Sequence, residues 1–328
     1  MDQESFRSYL QGRNFPEDRI NQLVASVENF EAFLRQSGKT TPPESATVED
    51  FRAYSTMLIQ SKLNTFDNYY ALALYARLMK NNTLFVAAVE PIDGAEALDN
   101  LYSRVGKLVG EPRRDEIFQG IQLPVLGTPS TEKPRITQAM LERLLSNLDP
   151  ETCKQLLAPS LRDLPDEGYL PERKKFLECK DLDEFLVRKG DDFIAELESI
   201  KRENRLYFTQ EITDEVITFI QEHPEIRQGV HEGNMIYEAK IPYMAKEYLA
   251  ESDPQMKRYY ACHCMWVRES LQAGDVHVSP TFCQCSAGFH KKYWEMVFDR
   301  PLQADVLETV LQGNMWCKFA IHLPEDIL

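Results

Sequence analysis

The sequence predicts an α+β chain: a helical N-terminal domain followed by a mixed α/β domain with a small antiparallel sheet. Three observations lead there. Apolar residues recur at helical spacing through the first hundred positions. A stretch rich in proline and polar residues interrupts them near residue 121. Extended segments appear only from RLYFTQ (205–210) onward, and five of the seven cysteines gather in that part of the chain.

Taken in order, Pro16 suits a first helical turn, and Ile20, Leu23, Val24, Val27, Phe30, Phe33 and Leu34 fall on one helical face. Gly38 ends that helix before the TTPPES loop (40–45). Thr47, with Asp50 three residues on, is the N-cap for FRAYSTMLIQ. TFDNYYALALYARLMK and AEALDNLYSRVGKLVG supply further helices, so residues 1–120 read as one helical domain. IQLPVLGTPSTEKP (121–134) carries three prolines and a glycine, placing a linker at 121–136 and a second domain at 137–328.

In the second domain ITQAMLERLLSNL and DPETCKQLLAP are helical, the latter opened by Pro150 and Glu151. DLDEFLVRKGDDFIAELESIKREN continues as helix, with a break expected at Gly190. NMIYEAKIPY is extended. ADVLETVLQ and WCKFAIHL flank a glycine turn (Gly313–Met315) and read as a hairpin. Cys153 and Cys179, on predicted helices, read as buried structural cysteines.

A net charge of −15 argues against nucleic acid and against anionic membrane surfaces, because phosphates repel such a protein. No window holds the roughly 18–20 apolar residues of a membrane span. MDQESFRSYLQGRNF lacks the apolar stretch of a secretion signal. The cytoplasm is therefore expected. Disulfides are unusual there, and clustered cysteines act as metal ligands or reactive thiols.

The cluster consists of Cys262-His263-Cys264, Cys283-Gln284-Cys285 and Cys317. On a helix, residues two apart point about 200° apart and cannot grip one ion. On extended or turn backbone they can converge, and the aromatics and β-formers of YYACHC and TFCQC favour such backbone. Two converging pairs supply four thiolates, the set of a closed tetrahedral zinc site. Cys317 is the substitute for one of them. His263, in the middle of its pair, is expected to face away. An iron–sulfur cluster is the alternative cofactor, and unmetallated core or redox thiols the remaining reading. Trp266, Phe289 and Trp294 belong to an aromatic-rich region suited to a small-molecule pocket, with Lys240 and Arg268 as anchors for a carboxylate.

Three resemblances add expectations. NFEAFLRQSGK, TVEDFRAYSTML and TFDNYYALALYARLMKN resemble the SAM-like core-binding domain of tyrosine recombinases, which implies a DNA-associated regulator. No downstream Arg, His, Arg and Tyr set accompanies them. Residues 283–324 resemble the small-molecule-binding domain of the 4-vinyl reductase family and of XylR-type regulators. The residues that carry this are Cys283 or Cys285, Ser286-Ala287-Gly288-Phe289, Glu308, Gly313 and Cys317. That resemblance implies a dimerising α/β domain with zinc beside a ligand pocket, and nominates Cys285, Glu308 and Cys317. Leu311 stands where the family has a further cysteine. The same end is similar to amino-thiazoline carboxylate hydrolases, which implies a hydrolase or reductase acting on a small heterocycle or thiol compound. The whole chain also resembles a family from anaerobic bacteria. No G-x-S-x-G, Walker, Rossmann or H-E-x-x-H motif is present. A Cys285–His290 nucleophile pair is misaligned by its helical spacing.

Overall fold

The structure, a computed structural model, describes residues 1–38 and 42–327; Thr40 and Thr41 of the expected loop lie outside the described residues. The chain forms two compact units. One comprises residues 1–95 with 124–132, the other 96–123 with 133–328.

The first unit is helical: Gln3–Gln11, Glu17–Gln36, Val48–Gln60, Phe66–Leu78 and Asn82–Val89. Glu17–Gln36 starts directly after Pro16 and buries Ile20, Leu23, Val24, Val27, Phe30 and Leu34, the face its spacing predicts. The Thr47 hydroxyl accepts the Asp50 N–H at 3.2 Å, and the Asp50 carboxylate accepts the Thr47 N–H at 2.9 Å, a closed capping box. Phe66–Leu78 buries every residue from Ala71 to Ala76, so it runs through the middle of this unit. Gly127, at φ 92°, lies against the Tyr69 hydroxyl, where a side chain would collide.

The unit boundary differs from the one the linker composition predicts. Helix Ala97–Val109 belongs to the second unit. Its Leu98, Leu101 and Val105 share a core with Met140, Leu141 and Leu144 of helix Lys133–Asn147 and with Leu157 of Pro150–Leu157. Residues 124–132 of the expected linker belong to the first unit. An apolar helical face states that it must be covered, and does not state which neighbour covers it.

The Leu182–Arg202 helix is unbroken. Gly190 is not a breaker but a point of close approach: a Cβ there would stand 2.6 Å from Gln228 Oε1 and 3.1 Å from Arg227 Nε. Strands β1 (Leu206–Tyr207) and β2 (Gln210–Glu211) form a small hairpin. Strands β3 (Val230–Glu232), β4 (Met235–Ala239), β5 (Gln303–Glu308) and β6 (Lys318–His322) form an antiparallel sheet in the order β3-β4-β6-β5. The chain is thus α+β as expected, and the last two strands do pair. β5 stops at Glu308, earlier than expected, and the chain turns through Val310–Gln312 to Gly313 at φ 94°. Phe319 and Ile321 of β6 and Ile236 of β4 are fully buried. Trp294, on helix Gln284–Phe298, is sealed among Phe185, Tyr293 and Phe298. Among the described residues no helix is long and apolar enough to cross a membrane.

Candidate metal centre

Four cysteines from three parts of the second unit come together. Helix Pro254–Ala261, capped by Asp253, ends at Cys262, whose backbone is extended (φ −76°, ψ 119°), as expected for the first pair. Cys283 ends the short turn Pro280–Cys283, and Cys317 immediately precedes β6. Cys262 and Cys317 are buried in the core that also holds Leu101 and Phe282, and Cys264 packs against it. Among the described cysteines none is paired in a disulfide.

The second pair is not extended. Ser279 caps a helical turn with Pro280 in its first position, and this turn runs directly into Gln284–Phe298. Cys283 and Cys285 therefore diverge, by the same 200° geometry that excludes a helical pair from one ion. Cys283 has Cys317, Cys262 and Cys264 as thiol neighbours. Cys285 lies near Cys264 but accepts the Leu161 N–H at 3.2 Å and has Lys240, Arg104 and Arg162 around it.

Burial pushes all four grouped thiols up, Cys264 to about 11; repulsion from the others of the four adds to this at Cys262 and Cys283, from Cys285 at Cys264 and from Glu308 at Cys317. Against it, each sulfur has a donor that favours the thiolate. Those donors are the Cys264 N–H at Cys262, the Trp266 N–H at Cys264, the Val310 N–H at Cys317 and the Thr309 hydroxyl at Cys283. Two cations stand beside the group. Lys240 favours charge on Cys264 and Cys317. Arg268 favours charge on Cys262.

Arg268 is 7 % exposed and is flanked by the Tyr243 and Tyr259 rings at 4.8 and 5.4 Å. One nitrogen is 3.5 Å from Glu269. Its Nε and Nη1 are buried and have no partner among the described residues. Desolvated donors of that kind are costly, so a nearby anion fits them. Among the described residues no three His, Cys, Asp or Glu side chains are drawn to the separation that holds an ion.

The other predicted site residues are dispersed. His263 turns away from the thiols: its Nε2–H donates to the Ile241 carbonyl at 2.6 Å, and burial brings it down to about 3. Glu308 lies 4.0 Å from Lys318, with its charge reaching Cys317, and apart from Cys285. Trp266 and Trp294 are core residues. Phe289 carries Lys240 at 5.5 Å and Arg162 at 6.0 Å from its ring. Cys153 is buried against the Leu144 carbonyl, and Cys179 is half-buried with the Lys175 carbonyl 3.2 Å from its sulfur. A cleft of about 710 Å³ lies elsewhere on helix Gln284–Phe298. It is lined by Ser160, Arg162, Asp163, Gly288, Lys291 and Lys292, and by none of the six expected pocket residues.

One cluster escaped the sequence reading. The Glu238 carboxylate, buried on β4, accepts Lys189 Nζ at 3.0 Å and His290 Nδ1–H at 2.9 Å. Burial raises its pKa, but the Lys189 charge and these bonds prevail and hold it at about 2. Its signal was present, since Glu238 occupies the same inward phase of β4 as Ile236.

No family model, no curated protein and no solved structure matches this chain, and its function rests on the arrangement of its own residues.

Proposed function

We propose that the chain is a cytoplasmic small-molecule-binding protein whose second unit is stabilised by zinc bound through Cys262, Cys264, Cys283 and Cys317. One observation carries this reading. Four thiols, two buried and two half-buried, are grouped, each with a hydrogen-bond donor for a thiolate, beside a buried guanidinium with two unpartnered nitrogens. In a metal-free core, neutral thiols would give those donors only weak acceptors and leave the two Arg268 nitrogens facing no anion. A zinc ion with four thiolates carries two net negative charges, one of which Arg268 offsets. Such an ion, when bound, keeps all four sulfurs deprotonated and ties the three segments together.

Cys285 is left out of this set, which departs from the resemblance to the 4-vinyl reductase family. The resemblance still supports a metal beside a ligand region. The 710 Å³ cleft is of the size that admits a small molecule, and Arg162, which lines it, also faces Cys264 and Cys285. The test is metal content after purification without added metal. About one zinc per chain is expected. It should be lost in Cys283→Ser and kept in Cys285→Ser. A stable metal-free wild type, or equal loss in both variants, refutes the assignment.

A further inference from the structure

We propose that Glu238, His290, Ser286 and Lys240 form an acid–base site for a small anionic substrate, with His290 Nε2 as proton acceptor and Lys240 as the seat of the anion. The site shares Lys240 with the surroundings of the thiols but needs no metal there. It begins with orientation. The buried Glu238 carboxylate accepts His290 Nδ1–H at 2.9 Å, which fixes the ring and leaves Nε2 with its lone pair. Nε2 has no partner among the described residues, is not one of the sealed unpartnered atoms, and the side chain keeps 17 % exposure. Phe319 lies against the ring at 4.7 Å and limits its movement.

Lys240 follows β4 directly, and its Nζ donates to Ser286 Oγ at 3.1 Å. Ser286 and His290 are four residues apart on one helix and so share a face. Ser286 is thus a positioning residue that holds the ammonium one turn from the imidazole. The charged and titratable groups facing His290 are Glu238, Lys189, Lys240 and His263. His263 is neutral, with Nε2–H committed to Ile241. Two lysines against one carboxylate leave a local positive excess on a chain of net charge −15, which favours an anionic ligand. Burial lowers the His290 pKa, so near neutral pH the imidazole is unprotonated and ready as a base.

For an ester, a water against Nε2 gives its proton to the imidazole while its oxygen bonds to the acyl carbon. The carbonyl electron pair moves to oxygen, then re-forms the C=O as the alkoxide or phenolate leaves. The leaving group takes the proton back from the imidazolium, or departs as the anion with the proton released to solvent. One water is consumed, and an acid and an alcohol form.

The test uses 4-nitrophenyl hydrogen succinate, an anionic activated ester, beside neutral 4-nitrophenyl acetate. Wild type should hydrolyse the succinate ester, and His290→Gln should reduce the rate by about a hundredfold. Lys240→Met should raise KM about tenfold more for the anionic ester than for the neutral one. His290→Gln should remain folded by circular dichroism with the metal content of wild type, and the wild-type rate should fall at acid pH with a midpoint below an ordinary histidine. Equal rates in wild type and His290→Gln, equal KM shifts for both esters, or a flat pH profile overturns the proposal. The zinc reading is judged on metal content alone and survives that failure.

Discussion

Replacing Glu238 by glutamine removes one charge from the buried Lys189–Glu238–His290 cluster and little volume. A carboxyl held at about 2 instead of 4.5 favours the folded state above pH 4.5, at about 1.4 kcal/mol per tenfold change in proton affinity. That amounts to about 3 kcal/mol at neutral pH. The Lys189 contact at 3.0 Å gives a Coulomb attraction of about 5–6 kcal/mol at an effective dielectric of 20, before desolvation is subtracted, so the two figures agree in sign and scale. Because the folded pKa is depressed, this stability is complete above pH 4.5 and is lost as pH falls toward about 2. The difference between wild type and Glu238→Gln should therefore shrink to less than half by about pH 3. All three tryptophans (Trp266, Trp294, Trp316) belong to the second unit, so urea unfolding followed by tryptophan fluorescence reports on that unit. A difference below about 0.5 kcal/mol at pH 7, or one independent of pH, refutes the reasoning.

Gly288→Ala should destabilise the second unit by about 2–3 kcal/mol in the same assay, because its Cβ would meet the Ala158 carbonyl and stand 2.6 Å from Ser160 N, both backbone. Thr47→Ala should cost the first unit about 1 kcal/mol by calorimetry, through loss of the capping box. Arg268→Met should leave the metal-free chain as stable as wild type or more so, since two unpartnered buried nitrogens disappear. In a chelator competition the same variant should hold zinc about tenfold or more weakly.

Helices with one clear apolar face and a named cap were legible: Glu17–Gln36 and the Thr47–Asp50 box follow directly from residue spacing. The unit boundary was not, because Ala97–Val109 shows an apolar face without showing which core it joins. Within the site, the extended backbone at Cys262 was legible from its composition. The turn at Cys283 was hidden by the aromatic and β-branched residues around it, although Ser279-Pro280 is a helix-start signal. Local rules missed it because they weighed the pair and not its flank. Cys317 could be placed only by the β5–β6 pairing, a long-range contact. Arg268 stood out as an anion anchor, but its burial carried no signal, since that depends on tertiary neighbours such as Tyr243 and Tyr259.

Zinc K-edge absorption of the protein, purified without added metal, tests the thiolate centre most directly. About one zinc per chain with four sulfur neighbours near 2.3 Å is expected, unchanged in Cys285→Ser and lost in Cys283→Ser. A metal-free protein, or a zinc whose sulfur shell changes when Cys285 is replaced, contradicts the set Cys262, Cys264, Cys283 and Cys317.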